Sequence, residues 1–498
     1  MKKIRTKILL AFAASGLLLL PSCGDWLDIN TNELASTKVE PGYLFNYAAV
    51  NYSGTRMGGD QYMSIAWPAQ VISDGDYWYG GDDFYTISTY STGNTWVSTY
   101  ASVGNNLLKA IEFAKEAEDT NAEAQCKILF AISVWGSTMI FGDIPYSEAW
   151  RIEEIKTPKF DPQKDILYAL VDLVDEAIDL IDTSKESSIT TYDIYYKGDM
   201  EKWLKLGKSL KLRLLLYLSN HEDVGSQIGA LVTEDKLLAS DADTFAFPYF
   251  DTAGNYNPNY ALYEVYPHLT PIWNAANPTV IDPMLAVDDP RIPFYFDPAE
   301  TDETLYKGIP AGRDYFENPT GADPFPGNDW MDEKTNLKVS LLNLDFYCQP
   351  DTPDVLFSYA ELEQYLAEVY VRGLGVTKNK ATANTHYRAG IKASCIKAGV
   401  AEADAETFVT GLKSLADMSD DEAIEAIATQ QRIDMMIRPL EAWSEQRRTG
   451  YPVLTVPSRL ASMYPGVINR WPYAERETLV NGNAPQVDGI WTKMWFQK

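Results

Sequence analysis

Apolar residues recur at every third or fourth position in several stretches of the first half of the chain, as one face of an α-helix requires. The clearest stripe consists of Ile166, Leu170, Leu173, Ala177, Ile178 and Ile181, with acidic residues on the opposite face. Stripes of the same spacing run over 96–114 and 203–217. Amphipathic helices that follow one another with modest connectors predict stacked helix hairpins with these stripes pointing inward.

A different kind of helix is predicted over 126–141, where nearly every residue is apolar. A helix that is apolar on all sides belongs in a protein interior, and Gly142 and Pro145 should end this one. Beyond the first residues of the chain we find no apolar run of transmembrane length, so we expect a body that is not integral to a membrane.

The middle of the chain, about 245–350, breaks the helical pattern. It holds fourteen of the 27 prolines, which would interrupt any long helix. It is also rich in tyrosine and tryptophan, which argues against disorder. Long ordered loops on a rigid scaffold often carry binding residues, so we expect a loop-rich, ligand-facing insertion here.

Helical periodicity returns over 359–372, 383–398 and 420–438. Ser419 and Glu422 have the spacing of a capping box, so the acids between them are expected in a first helical turn and not in a catalytic pair. The chain shows no sustained 34-residue consensus. The pattern alone therefore predicts a mostly α protein of irregular paired helices with a large loop insertion.

The first residues have the layout of a secretion signal, with a basic start followed by the apolar stretch 8–20. The string Leu20-Pro21-Ser22-Cys23 matches a bacterial lipobox, and no A-x-A-like site supports the alternative of an ordinary secretory signal. We therefore expect residues 1–22 to be removed, lipid on Cys23, a tether over 23–40 and a single body over 41–498. Two or three acyl chains hold a protein firmly on a membrane.

The net charge of the chain is −28, which disfavours nucleic acid and anionic headgroups as partners. The cysteines beyond Cys23 are Cys126, Cys348 and Cys395, which are too widely spaced for a metal or redox motif. We expect Cys126 and Cys395 to be buried as small apolar residues.

Residues for catalysis or metal binding are not evident. The histidines His221, His268 and His386 include no pair at ligand spacing, and nucleotide-binding and nucleophile motifs are absent. Asp288 and Asp289 are expected in a solvated turn. We therefore predict neither a catalytic residue, a metal nor a cofactor, apart from the lipid.

The most suggestive string for binding runs from Asp74 to Tyr85, where Tyr77, Trp78 and Tyr79 stand among glycines and acids. Such a string favours a loop that presents rings, and aromatic faces stack on the C–H faces of sugars while acids bind hydroxyls. Two alternatives stay open. The rings could pack beneath the loop, or the acids could bind calcium, although their spacing is not that of an EF-hand.

Five local strings, in this order along the chain, are shared with a known family. They are FGDIPYSEA (141–149), DPR (289–291), SYAELE (358–363), EAWSEQRRTGYP (441–452) and RWPY (470–473). With the lipobox, they resemble the SusD/RagB family of nutrient-binding outer-membrane lipoproteins, in its starch-binding-protein-like branch. Ala474 departs from the family pattern, which has proline there. We expect most of these strings to be structural, with Arg447 and Arg448 pairing with acids inside the fold.

The resemblance implies a mostly α fold of irregular tetratricopeptide-like helix pairs with a loop-rich half that holds the ligand. It also implies a lipid anchor in the outer membrane at the cell surface. The partner it implies is a TonB-dependent outer-membrane transporter, on which the body sits as a lid. The activity it implies is the capture of a nutrient, which the protein binds without cleaving it.

The resemblance further places the ligand surface where an N-terminal loop faces the middle insertion. The ligand-contacting residues we expect are Tyr77, Trp78, Tyr79, Trp273, Trp330, Tyr256 and Tyr260, with Trp78 and Trp273 as the main stacking rings. The ligand is an oligosaccharide or a peptide, and a peptide would use backbone hydrogen bonds and side-chain pockets. Two other classes compete with this reading: a lipid-anchored glycan-cleaving enzyme, and a structural surface protein or adhesin.

Overall fold

The structure is a computed structural model that describes residues 39–74, 85–267, 270–299, 302–311, 339–457 and 460–498. Residues 41–498 form one compact unit, which is mostly helical, as predicted. The helices before residue 240 are α1 (Pro41–Met57), α2 (Gly59–Ala66), α3 (Thr89–Val97), α4 (Asn105–Glu116), α5 (Thr120–Phe141), α6 (Gln163–Leu180), α7 (Met200–Leu218) and α8 (Gly225–Glu234). A π-helix, Ser98–Gly104, joins α3 to α4, so the stripe predicted over 96–114 lies on one helical run whose pitch changes inside it.

The all-apolar helix α5 lies in the core, as predicted. Asp119 caps its start by accepting a hydrogen bond from the backbone of Ala122, and Gly142 ends it at a φ of +80° that favours glycine. By length and composition, α5 could also cross a membrane. This differs from the prediction that no apolar run beyond the first residues has transmembrane length. However, α5 is wholly buried inside the fold. It is therefore a core helix.

The stripe on α6 is confirmed in part. Ile166 and Leu170 are fully buried, whereas Leu173 and Ile178 are only half-buried. Val171 and Val174 fill the remaining inward positions. Helix α6 packs against both α5 and α7, and its buried residues form a broader face than the predicted stripe.

The middle of the chain consists of short elements, as its prolines predict. Those described are strand β2 (Phe245–Phe247), α9 (Pro258–Val265), β3 (Ala275–Ala276), α10 (Pro278–Leu285), α11 (Ile292–Tyr295), α12 (Leu344–Tyr347) and β4 (Asp354–Phe357). An earlier strand, β1 (Ile72–Ser73), pairs antiparallel with β3, and β2 pairs antiparallel with β4. The insertion is thus tied to the helical scaffold by two small sheets.

The C-terminal helices are α13 (Tyr359–Arg372), α14 (Lys380–Ala398), α15 (Glu402–Gly411), α16 (Asp420–Asp434), α17 (Pro439–Thr449) and α18 (Glu475–Val480). The predicted capping box of Ser419 and Glu422 is confirmed. The helix predicted over 420–438 ends at Asp434, because Arg438 leaves the helical region before Pro439, which begins α17.

Charged side chains of the family strings lie inside the scaffold. Glu361 receives hydrogen bonds from both Arg213 and Arg438, and all three side chains are almost fully buried. Arg448 pairs with Glu368 at 2.5 Å and with Glu445 at 2.6 Å, as predicted for this arginine. These strings therefore act as internal connections between α7, α13 and α17.

Two expectations about charges are wrong. Among the described residues, Arg447 pairs with no acid. It donates to the backbone carbonyls of Met139 and Asn469 and lies 3.6 Å above the Trp443 ring, and burial lowers the pKa of its guanidinium. Asp289 is not in a solvated turn: it is buried and forms a two-pronged ion pair with buried Arg291 at 2.6 and 2.9 Å.

The described cysteines Cys126, Cys348 and Cys395 are free and buried, as expected for Cys126 and Cys395. Burial raises the pKa of Cys348 to about 12 and that of Cys395 to about 11, so both thiols stay protonated at neutral pH. These residues serve as apolar core side chains.

Candidate ligand-binding surface

A small β platform connects the N-terminal helices to the middle insertion. In the β1–β3 pair, Ile72 lies opposite Ala276 and Ser73 opposite Ala275. The Asn277 side chain donates to the Ser73 hydroxyl at 2.9 Å, which joins the two strands further. Asp74 follows β1 and precedes residues 75–84 in the sequence. Because β1 pairs with β3, the chain lies beside the insertion up to this residue.

The same platform holds the chain on both sides of residues 312–338. The backbone N–H of Ala276 donates to the carbonyl of Ser340 at 2.9 Å, and that of Leu342 donates to the carbonyl of Asn274 at 2.8 Å. A separate apolar cluster beneath these bonds consists of Ile272, Ala275, Ile309, Val339 and Leu341. The described residues that flank 75–84 and 312–338 in the sequence thus meet at the β platform.

Four of the expected contact residues, Tyr77, Trp78, Tyr79 and Trp330, lie outside the described residues. Their flanking residues are firmly held. Asp74 is buried at the end of β1, and Tyr85 is buried against the ring of Tyr464 with centroids 5.3 Å apart.

Trp273 does not have the position expected of a stacking ring. It is 0% exposed, and its carbonyl accepts a hydrogen bond of 2.8 Å from the indole of Trp67. It lies in a short 3₁₀-helix, Ile272–Asn274, that precedes β3, and its side chain is in the core. A ring without an exposed face cannot stack on a ligand, so Trp273 is corrected to a core residue.

A row of tyrosines on α9 and at its two ends offers partly exposed rings instead. Tyr256 and Tyr260 have ring centroids 5.2 Å apart, and Tyr260 and Tyr263 are 6.4 Å apart. Tyr266 is 40% exposed and its ring covers Trp273 at 5.8 Å. We call Tyr256, Tyr260, Tyr263 and Tyr266 the tyrosine row.

The tyrosine row is held by a rigid helix start. Asn257 is fully buried and caps α9 by accepting from the backbone of Asn259 at 2.8 Å. Its side chain also donates to the Thr352 carbonyl, and its backbone donates to that of Pro350, both at 2.8 Å. With Pro258 at the first helical position, these bonds fix α9 against the segment before β4.

Polar groups surround the rings. Partial burial raises the pKa of Tyr260, and the nearby charges of Glu264 and Asp251 add to the effect. The phenol is therefore neutral at physiological pH, and it can both donate and accept a hydrogen bond. Rings with apolar faces, hydroxyls and neighbouring carboxylates can bind a polyhydroxylated molecule.

Two residues of the row, Tyr256 and Tyr260, were expected from the sequence, and two were missed. Tyr263 follows Tyr260 by three residues and Tyr256 by seven, which is the spacing of one helix face. That spacing was a usable signal, but the prolines around it obscured a helix as short as α9.

Within the described ranges, no group of histidine, cysteine, aspartate and glutamate residues is arranged to hold a metal ion. The acids of the calcium alternative other than Asp74 lie at 76, 82 and 83, outside those ranges.

Comparison with known proteins gives a family and a fold. The model of a SusD-like family described as starch-binding and associating with the outer membrane matches residues 32–473. A search of curated proteins finds no significant match. A solved SusD homologue from Bacteroides uniformis is 20% identical, with a TM-score of 0.74, over 92% of this chain and 99% of its own.

Other solved structures share this fold. A SusD homologue from Bacteroides fragilis is 24% identical with a TM-score of 0.68, over 93% of this chain and 100% of its own. A chitin-binding protein is 22% identical with a TM-score of 0.72, over 92% of this chain and 100% of its own. Because the family match spans most of the sequence, the chain belongs to the SusD-like family of starch-binding proteins that associate with the outer membrane.

Proposed function

We propose that the protein is a lipid-anchored surface protein that captures an oligosaccharide and passes it to a partner TonB-dependent outer-membrane transporter. The observation that carries the ligand part of this proposal is the tyrosine row. Its partly exposed rings lie near the β platform, since Tyr266 packs on Trp273.

The chemistry of the row favours a sugar over a peptide. Tyrosine rings offer apolar faces to C–H groups, and Asp251 and Glu264 beside Tyr260 offer acceptors to hydroxyls. A peptide that adds to a sheet needs a long free edge, whereas β1 and β3 have two residues each. A chitin-binding protein of the same fold supports the same class of ligand. Tyr77, Trp78, Tyr79 and Trp330 are proposed as further contacts.

The anchor and the partner are proposed from the N-terminus and the family. Leu20 to Cys23 has the pattern of a lipobox, and the family associates with the outer membrane. A strongly acidic body is repelled by an anionic membrane surface and needs such an anchor. Transfer to a transporter explains why a protein with no recognised catalytic motif would bind sugar at a cell surface.

Binding is tested by titrating the purified full chain with maltohexaose, chitohexaose and a mixed peptide library, with product analysis on each mixture. We expect one of the sugars to bind and to be recovered intact. The double variant Tyr256→Ala/Tyr260→Ala should bind at least tenfold more weakly. The control is Tyr47→Ala, which removes a tyrosine on α1 that is 52% exposed. Binding of peptides alone, or cleavage of the sugar, would refute the ligand proposal.

The anchor is tested by fractionation. Cys23→Ala should move the protein from the membrane pellet to the soluble fraction, whereas Cys126→Ala, which alters a buried cysteine, should leave it in the pellet. The unaltered protein should co-purify with a TonB-dependent transporter in mild detergent. A Cys23→Ala protein that resists a high-salt wash of the membranes would contradict the anchor, and purification without a transporter would contradict the partner.

A further inference from the structure

A second concave surface lies on the helical scaffold, separate from the tyrosine row. It is a cavity of about 660 Å³ between α1, the loop Thr190–Lys197 and the segment Ala246–Phe250. Its volume falls within the range of about 300–1,000 Å³ that is usual for ligand pockets. Every residue that lines it is among the described residues.

Aromatic rings form much of its wall. Phe250, which is 50% exposed, and Tyr192, whose ring lies 4.8 Å from that of Tyr43, both line it. Tyr195 also lines it and stacks on buried Phe245 at 4.1 Å. The cavity therefore has three aromatic residues in its wall, whose ring faces suit the C–H groups of a ligand.

The loop that carries two of these rings is rigid. Buried Asp193 accepts hydrogen bonds from the backbone N–H groups of Tyr195, Tyr196 and Gly198 and from the indole of Trp203. All the acceptor capacity of this carboxylate is thus directed into the fold, and it is not offered to a ligand. A site built on such a supported loop is preorganised.

The position of Tyr192 depends on a glycine. A Cβ atom built on Gly42, in the first turn of α1, would lie 2.0 Å from the ring of Tyr192. The ring therefore lies directly against the helix backbone. Any larger residue at 42 would displace Tyr192 without removing a group from the cavity.

The polar part of the wall is almost neutral. It consists of Thr190, Thr191, Asn46 and exposed Lys197, since the carboxylate of Asp193 is bonded within the fold. The oxygen of a threonine hydroxyl can accept a hydrogen bond from a hydroxyl group of a ligand.

We infer that this cavity is a second binding site for a neutral saccharide, distinct from the tyrosine row. Aromatic rings, threonine hydroxyls and a single exposed charge match a molecule with C–H faces and hydroxyl edges. Along the chain, Phe250 of the cavity and Tyr256 of the tyrosine row are separated by the turn Phe250–Asn255, which is closed by a hydrogen bond of 3.0 Å between its ends. The inference shares the ligand class of the proposed function, but it uses other residues.

The experiment is calorimetric titration of the full chain in mild detergent with maltotriose and with chitotriose, which are short enough to occupy one site at a time. We expect two binding events per chain for at least one of these sugars. Tyr192→Ala and Phe250→Ala should each weaken one event at least tenfold and leave the other within twofold.

A complementary variant keeps every lining group. Gly42→Ala should weaken the same event as Tyr192→Ala, because the added methyl group pushes the Tyr192 ring aside, while the melting temperature stays near that of the unaltered protein. Tyr47→Ala, on the same helix but outside the cavity lining, should change neither event.

The possible failures are distinct. A single event that survives Tyr192→Ala and Phe250→Ala but is lost in Tyr256→Ala/Tyr260→Ala would overturn the second site and leave the proposed function intact. Loss of all binding in both sets of variants would show one continuous site and would also overturn the inference. If neither sugar bound the unaltered chain, the second site and the proposed sugar binding would both fail.

Discussion

The helical scaffold and the ligand-facing insertion differ in where they place their polar and aromatic side chains. In the scaffold, the recognisable family strings place charges inside the fold, as in the buried contacts of Glu361 with Arg213 and Arg438. In the insertion, the four residues of the tyrosine row lie partly exposed and belong to none of those strings. The residues that identify the family are therefore internal connections, and the residues that would meet a ligand are free to differ between members.

This difference can be tested by substituting residues in each region and measuring both stability and ligand affinity. A change in the scaffold should lower the free energy of unfolding, and a change in the tyrosine row should lower affinity alone.

The largest effect is expected for Leu170→Asp on α6. It removes a fully buried apolar side chain and places a charge among apolar neighbours, which should cost more than about 5 kcal/mol of unfolding free energy. Urea denaturation followed by circular dichroism measures it. The control is Asp172→Ala, an exposed position of the same helix, expected within about 0.5 kcal/mol of the unaltered protein. Equal midpoints for the two variants would contradict the packing of α6.

A somewhat smaller loss is expected for Glu361→Gln. It preserves the shape of the side chain but leaves Arg213 and Arg438 as buried charges without their shared partner, which should cost about 3–5 kcal/mol. Glu112→Gln removes one partner of an exposed ion pair with Lys109 and should cost less than about 1 kcal/mol. Similar losses in the two variants would mean that burial of the network has no energetic consequence.

Acid should weaken the scaffold through Glu368. Burial opposes its ionisation, but Arg448 and Arg372 outweigh that effect and lower its pKa to about 2. A lowered carboxyl pKa stabilises the fold above its ordinary value of 4.5, and this stability is lost as the pH falls from there towards about 2. Relative to Glu368→Gln, the advantage of the unaltered protein should be on the order of 3 kcal/mol at pH 7 and should vanish near pH 2. Urea denaturation at each pH measures the difference in unfolding free energy between the two proteins. If that difference were the same at every pH, the ionisation of Glu368 would be contradicted.

The smallest effect on stability is expected in the tyrosine row. Tyr256→Ala/Tyr260→Ala removes two half-buried rings from a helix that Asn257 continues to cap, so we expect a fall in melting temperature of no more than a few degrees. Differential scanning calorimetry measures it. If the double variant unfolds as readily as Leu170→Asp, the row is core and not a ligand surface.

The helices could be predicted where burial follows a simple period. The residues of the stripe predicted over 203–217 are all fully buried on α7, namely Trp203, Leu206, Leu210, Leu214 and Tyr217. The mostly apolar helix α5 lies in the core. Helix α15 was missed because few of its residues are buried, so it carries no stripe of the kind that reveals a packed helix. Helix α17 was not predicted, because all its residues are buried although most of them are polar or charged, so it carries no apolar stripe.

The site was harder to predict, because exposure depends on contacts between distant parts of the chain. Trp273 and Tyr266 are both aromatic residues of the same insertion, yet one is buried beneath the other. The partners of Arg447 and Arg448 differ for the same reason. These adjacent arginines point to different neighbours, carbonyls of α5 and of the C-terminal segment for one and carboxylates of α13 and α17 for the other.

The β platform has a consequence for how such proteins diversify. The bonds that join Ala276 to Ser340 and Leu342 to Asn274 run between main-chain groups, and every residue type except proline can form them. The paired residues can therefore change in sequence without losing this attachment. If residues 75–84 or 312–338 are exchanged for those of a relative and the platform is kept, we expect the ligand preference to change and the free energy of unfolding of the body to stay nearly the same.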